Sequence, residues 1–335
     1  MRLIDNLSIL RLDEYVQLSR EWDVFICCGS FEDRSTRTTQ VLSGGRVRID
    51  TSIVLDYKEV DPEGRKHHNL EEIEHRLSEL SRRAHRVSAA GFSRPSEGVK
   101  GLVLFLESEG IELTGKSILV DITVLTKPYF FLLFRVLRDK YHVDDIYVAY
   151  SEPEKYRSPN SHAREIILTE GLDRIESIPG FVGSSLAASD ALVALLGFEG
   201  RRLLDVFDAL NPELTYVING FPSFQPGWHK ISLEANLRFI EQSASADNLY
   251  FAPAVDPFET KNVLCHVVSE IRDTHPGLNV VVAPLGTKMQ ALGVLLCALH
   301  DRAMKVVYPF PSSYRPDYSY SYGPTWVVKP NLSQP

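Results

Sequence analysis

Apolar positions along the chain follow two periods that take turns. Val280, Val281 and Val282 form a continuous β-branched run that begins after the polar Asn279. Such a run predicts a strand buried on both faces in a parallel sheet. A short turn, Pro284-Leu285-Gly286-Thr287-Lys288, follows, and from Met289 the apolar residues recur at Leu292, Leu295, Leu296 and Leu299. Spacings of three and four place those leucines on one helix face. The stretch Ile118–Arg138 repeats the plan: a β-rich run, a turn ending in Thr126-Lys127, then an apolar-rich helix. The same reading along the chain predicts strands near 24–28, 53–57, 118–122, 146–150, 216–218, 249–253, 280–283 and 305–308. It predicts helices over 10–19, 36–42, 69–86, 99–109, 186–196, 201–210 and 261–272, with a loop over 88–96.

The order of these elements repeats. Each Thr-Lys helix leads to a strand and then to Tyr-x-x-Pro-x-x-Tyr-Arg, as Tyr150, Pro153, Tyr156, Arg157 and as Tyr308, Pro311, Tyr314, Arg315. The run Val24-Phe25-Ile26 before Gly29 matches Tyr216-Val217-Ile218 before Gly220, and Val60-Asp61-Pro62 matches Val255-Asp256-Pro257. Strands alternating with helices, with the landmarks in one order, predict an α/β fold of two tandem Rossmann-like units, an internal duplication with mainly parallel sheets. The expected division is a first unit over 1–158, a helical connector over 159–197, and a second unit over 198–335 with a tyrosine-rich tail.

Hydrophobic residues at 44% and charged residues at 24% place the chain among globular proteins with an ordinary core. A net charge of −8 excludes a general coat for long nucleic acid. No apolar run has the length of a membrane helix, and the start has acids where a signal peptide needs an apolar core. Cys27, Cys28, Cys265 and Cys297 have no metal-ligand spacing and read as core thiols of a cytoplasmic protein.

The candidate chemistry gathers at strand ends, where open α/β sheets bind ligands. Gly286, Thr287 and Lys288 combine free backbone N–H groups, a helix N-terminus and a full positive charge, an arrangement suited to a phosphate. Thr126 and Lys127 hold the matching place, although Pro128 at the helix start makes an ordinary helix N-terminus the simpler reading of them. Gly29, Ser30 and Arg34 follow the first strand, and Arg34 would clamp a phosphate or else pair locally with Asp33. Asn219 and Gly220 follow the 216–218 strand, and parallel strands bring all such turns to one edge around one pocket. Tyr150 and Tyr308 offer packing or base stacking. The tail tyrosines offer a docking strand or a ligand wall. One catalytic pattern competes: Asp33 with Asp56 and Lys58 fits the loose spacing of metal-dependent PD-(D/E)xK nucleases, on the condition that Asp33 lies on a strand beside Asp56. No Gly-x-Ser-x-Gly elbow occurs.

Gly286-Thr287-Lys288-Met289-Gln290-Ala291-Leu292-Gly293 resembles the CRISPR-associated Rossmann-fold (CARF) sensors, which carry Thr-Gly-Gly-Thr-Lys before Met and a Leu/Ala/Gly-rich helix. Pro284 and Leu285 stand where that family has Thr and Gly. In the related SAVED domains two such units share one chain. The resemblance implies a regulatory module of a prokaryotic antiviral defence system, with no catalytic residues, metal or cofactor of its own. It implies a nucleotide-type ligand, with a cyclic oligonucleotide as one form, held by Gly286, Thr287 and Lys288 and more loosely by Thr126 and Lys127. Its output would pass to a separate effector protein. The alternatives are the phosphodiesterase named above, or a structural subunit that docks a partner enzyme.

Overall fold

The computed structural model describes residues 9–332 apart from 20, 59–60, 62, 157–165, 184–186, 244–245 and 317. Arg157, Val60 and Pro62, named above as landmarks, lie outside the described residues. The chain divides into two units. One runs to Tyr156 and resumes at Ser319, and the other takes the residues between.

In the first unit a short strand β1 (Ile9–Arg11) and helix α1 (Leu12–Leu18) precede five parallel strands. These are β2 (Glu21–Gly29), β3 (Arg48–Tyr57), β4 (Ser81–Ala89), β5 (Ile118–Asp121) and β6 (Ile146–Tyr156). Helices α2 (Arg37–Gly44), α3 (Arg65–Leu80), α4 (Pro95–Ser108) and α5 (Lys127–Asp139) join them in turn. The parallel order is β4-β3-β2-β5-β6, so the chain starts mid-sheet, works to one edge and returns to the other. Right-handed crossovers then put α2 and α3 on one face and α4 and α5 on the other, and each pair packs together. This is the doubly wound Rossmann-like layout.

The second unit repeats it. After β7 (Thr169–Glu170) and β8 (Arg174–Val182) come β9 (Ser189–Leu195), α6 (Gly200–Leu210), β10 (Leu214–Gly220), α7 (Trp228–Ala235), α8 (Leu237–Ser243) and β11 (Leu249–Ala252). Then follow α9 (Pro257–Thr274), β12 (Leu278–Pro284), α10 (Lys288–His300), β13 (Lys305–Phe310) and β14 (Ser313–Tyr314). Its parallel order, β11-β10-β9-β12-β13, is the first unit's order strand for strand. In both sheets the last parallel strand carries an antiparallel neighbour. For β13 this is β8, and for β6 it is β15 (Ser319–Val328), with β1 outside it.

The duplication is therefore real, but two of its sequence landmarks are out of phase: the Tyr216 strand, and Val255-Asp256-Pro257, which follows β11, the counterpart of β4, whereas Asp61 follows β3. β2 corresponds to β9, not to the Tyr216 strand, which is β10 and corresponds to β3. The 186–196 stretch expected as a helix contains β9 instead. Its run Ala191-Leu192-Val193-Ala194-Leu195 is wholly buried at the centre of the sheet, and that position overrides the helix preference of alanine and leucine. The 159–197 segment is thus not a helical connector: its described part supplies β7, β8 and β9. The 69–86 helix ends at Leu80, and Ser81–Ala89 forms edge strand β4, whose Arg82 and Arg86 pair with Asp50 and Asp56 of β3. The tail expected in the second unit belongs to the first as β15.

Candidate functional site

The carboxyl edge of the second sheet brings three turns together. β12 ends at Pro284, and α10 opens with a capping box: Thr287 Oγ1 accepts from Gln290 N at 3.1 Å, and Gln290 Oε1 accepts from Thr287 N at 3.1 Å. Thr287 Oγ1 also donates to Ala254 O at 2.7 Å, beyond β11. Gln290 Nε2 donates to Ala252 O at 3.3 Å, and the same carbonyl accepts from Phe221 N at 2.9 Å. Ala254 N donates to Pro222 O at 2.8 Å. Thus the turns after β10, β11 and β12 are stitched to one another, and Asn219-Gly220 neighbours Gly286-Thr287-Lys288 as the parallel sheet requires. Gly286 is glycine for space, since a Cβ there would lie 2.4 Å from Gln290 Oε1.

These contacts divide the expected ligand residues. Thr287 spends its hydroxyl on the cap and on Ala254, so it shapes the turn. Asn219 is fully buried and donates through Nδ2 to His229 O at 3.1 Å. Lys288, at the first helical position, is half-buried. Two residues absent from the sequence reading flank this edge. Phe221 and Phe251 are 49% and 46% exposed, with ring centroids 6.2 Å apart, and Phe221 also meets His229 at 4.8 Å. Exposed phenyl rings at a strand's carboxyl end offer faces for stacking.

In the first unit Thr126 precedes α5 as Thr287 precedes α10, but it makes no side-chain cap, and its N–H donates to Tyr57 OH at 3.2 Å. Lys127 opens α5, half-buried. Gly29 serves packing: a Cβ would lie 2.1 Å from Leu70 Cδ2 of α3. Ser30 O accepts from Asn69 Nδ2 at 2.8 Å, which ties the turn to the same helix.

Arg34 is a correction to the phosphate-clamp expectation, because it is 3% exposed and already engaged. Its Nε pairs with Glu32 Oε2 at 2.7 Å, and its Nη1 donates to Ser151 O at 3.2 Å. Its guanidinium stands over the Tyr150 ring. Ser319 Oγ of β15, in register with Tyr156, donates to Glu32 at 2.9 Å. The second unit builds the same device. Arg202 pairs with Glu199, donates to Pro309 O and stands over Tyr308, while Thr169 Oγ1, in register with Tyr314, donates to Glu199 at 2.8 Å. Tyr150 and Tyr308 are therefore packing partners of buried arginines, and burial raises the Tyr150 hydroxyl to about 12. A sequence signal for this existed: Phe31-Glu32-Asp33-Arg34 is echoed by Phe198-Glu199-Gly200-Arg201, one residue before the arginine that is used.

The nuclease arrangement is not present. Asp33 lies on a 3-10 turn, not on a strand, and its carboxylate accepts from Ser321 N at 3.2 Å. Asp56 is held by Lys66 at 2.9 Å and Arg86 at 2.8 Å, and those two cations lower its pKa against the opposing effect of burial. Lys58 is exposed. Among the described residues no group of three metal-ligating side chains assembles. Of the tail tyrosines, Tyr322 of β15 lies under Arg37 at 4.6 Å and Tyr320 under Lys155 at 6.0 Å, so both pack within the first unit.

A hollow of about 370 Å³ lies at the opposite, amino edge of the first sheet, lined by Trp22, Asp23, Arg48, Asp50, Arg82 and Ser117 among others. Its Arg82 is taken up by Asp50 at 2.6 Å and its Asp23 by Ser117 N at 2.8 Å. Among the described residues no helix is long and apolar enough to cross a membrane.

No family model matches the chain, and no curated protein does. A solved universal stress protein from Archaeoglobus fulgidus DSM 4304 aligns over 88% of this chain and 98% of its own, at 10% identity and a TM-score of 0.24. A likeness of that size carries nothing about the fold or the site, and both rest on the strands and contacts described above.

Proposed function

We propose that the chain is a ligand-sensing regulatory module of the CARF/SAVED kind, from a prokaryotic antiviral defence system. It binds a nucleotide-type ligand, a cyclic oligonucleotide being one form, and acts on or with a separate effector protein rather than by chemistry of its own. The ligand site is the carboxyl edge of the second unit. One observation supports this most: the stitched turns bring the N-terminus of α10 and Lys288 to the same sheet edge that carries the exposed Phe221 and Phe251 rings. Charge and dipole suit a phosphate, and the rings suit a base. The chain's acidic balance suits a small ligand over a long nucleic acid.

Thermal denaturation with a panel of cyclic and linear nucleotides tests this. A ligand present at a hundred times its Kd adds about 2.7 kcal/mol to stability, so one or more nucleotides should raise the melting temperature. If none does, the structural-subunit reading takes its place.

A further inference from the structure

We propose that Cys265 and Cys297 are a redox-modification site: they close a reversible disulfide between α9 and α10 at the expense of a low-molecular-weight disulfide. Their Sγ atoms are 3.1 Å apart. Cys265 is exposed and Cys297 is buried, so one sulfur meets solvent and the other waits behind it. A covalent S–S bond is ~2.05 Å long, so the sulfurs need approach by only about 1 Å. The helices that carry them are held close. Gly293 of α10 lies against the start of α9, where a Cβ would be 2.4 Å from Pro257 O and 2.7 Å from Thr260 Cβ.

The surroundings order the two steps. The Cys297 thiol, hydrogen-bonded to the Cys265 sulfur, favours thiolate at Cys265, and Lys261 and Arg272 act in the same direction against Asp301. Together these lower Cys265 below the ordinary thiol value, against the opposing effect of its partial burial. Cys297 is pushed up by the same hydrogen bond and by burial. Cys265 is therefore the attacking sulfur and Cys297 the resolving one. The Cys265 thiolate attacks one sulfur of the small disulfide, forming a mixed disulfide and expelling one small thiolate. Cys297 then loses its proton and attacks the Cys265 sulfur, which expels the second small thiolate. Two protein thiols are oxidised, and one small disulfide is reduced to two thiols, which take up the two protons the cysteines give up. Cys27 and Cys28, buried in β2, take no part.

This inference does not depend on the ligand proposed above. Its test is incubation of the folded full chain with oxidised glutathione, followed by alkylation, intact mass and peptide mapping. The expected product is a chain about 2 Da lighter, with two alkylatable thiols fewer and a peptide linking Cys265 to Cys297. Cys297→Ser should instead accumulate the mixed disulfide at Cys265. Cys265→Ser, at an exposed position that leaves folding intact, should consume glutathione disulfide at least about tenfold more slowly. The proposal is overturned if the wild-type chain yields no Cys265–Cys297 link or keeps a lasting mixed disulfide. It is overturned equally if Cys265→Ser is oxidised as fast as wild type.

Discussion

The Arg34 guanidinium carbon lies 5.9 Å from the centroid of the Tyr150 ring, and Arg202 stands over Tyr308 in the same way at 5.1 Å. In each unit this contact fastens the turn after the first parallel strand to the end of the last one. The accompanying glutamate takes a hydroxyl from Ser319 of β15 in the first unit and from Thr169 of β7 in the second. A buried ion pair adds little beyond an apolar replacement, but removing one partner leaves a charge without compensation. Arg34→Ala should therefore lower stability by about 3–5 kcal/mol, read as a fall in the urea midpoint. Arg34→Met combined with Glu32→Gln should recover most of that loss. Arg201→Ala, with the side chain 81% exposed, should change stability by no more than about 0.5 kcal/mol.

Two glycine-to-alanine changes should have opposite signs. Gly293 on α10 has no room for a methyl group against Pro257 and Thr260, whereas at Gly101 in α4 a Cβ would meet nothing within 4 Å. Gly293→Ala should cost about 1–3 kcal/mol through overpacking. Gly101→Ala should add about 0.5–1 kcal/mol, because glycine is the weaker helix former. Urea unfolding of both variants beside wild type measures the difference.

Glu152 predicts a pH dependence of the first unit. It is 4% exposed, and Trp326 Nε1 of β15 donates to its Oε1 at 2.5 Å. Burial pushes the carboxyl from its ordinary 4.5 up to about 7, with the tryptophan bond opposing the shift. The folded state thus holds a proton that the unfolded state has released, so this contribution is complete below pH 4.5 and lost as pH rises through 7. Wild type minus Glu152→Gln should lose about 2–3 kcal/mol between pH 5 and pH 8, with Glu152→Gln the more stable chain at pH 8. Urea titrations followed by tryptophan fluorescence read it. Equal pH profiles for the two chains would remove the effect.

Particular residues explain what the sequence made legible. Val280–Val282 and Ile118–Val120 are apolar, central and rich in β-branched residues, so local preference and burial agree, and the Thr-Lys turns after them fell in corresponding places. The β9 run is rich in alanine and leucine, which prefer helix until a sheet closes around them. That one reversal moved the match of Val24 onto Tyr216 by one strand and one helix. β4 was hidden for another reason: its arginines continue the charged pattern of α3 and become strand residues only when Asp50 and Asp56 stand beside them. Of the site, the neighbourhood of Gly220 and Gly286 followed from a parallel sheet. The aromatic flank did not, since Phe221 and Phe251 are brought together by pairing between β10 and β11 and by no spacing along the chain.

The most direct measurement is calorimetric titration of the chain with the nucleotide that gives the largest thermal shift. Wild type would be compared with Lys288→Ala, Phe251→Ala and Lys140→Ala, the last an exposed lysine of the first unit paired with Glu107. A charged hydrogen bond to phosphate predicts that Lys288→Ala loses about 1.5–3 kcal/mol, roughly tenfold to 150-fold in Kd. Stacking predicts a loss of about 1–3 kcal/mol for Phe251→Ala, and Lys140→Ala should bind as wild type does. A Lys288→Ala chain that folds and binds every nucleotide as tightly as wild type, or a wild-type chain that binds none, would contradict the account.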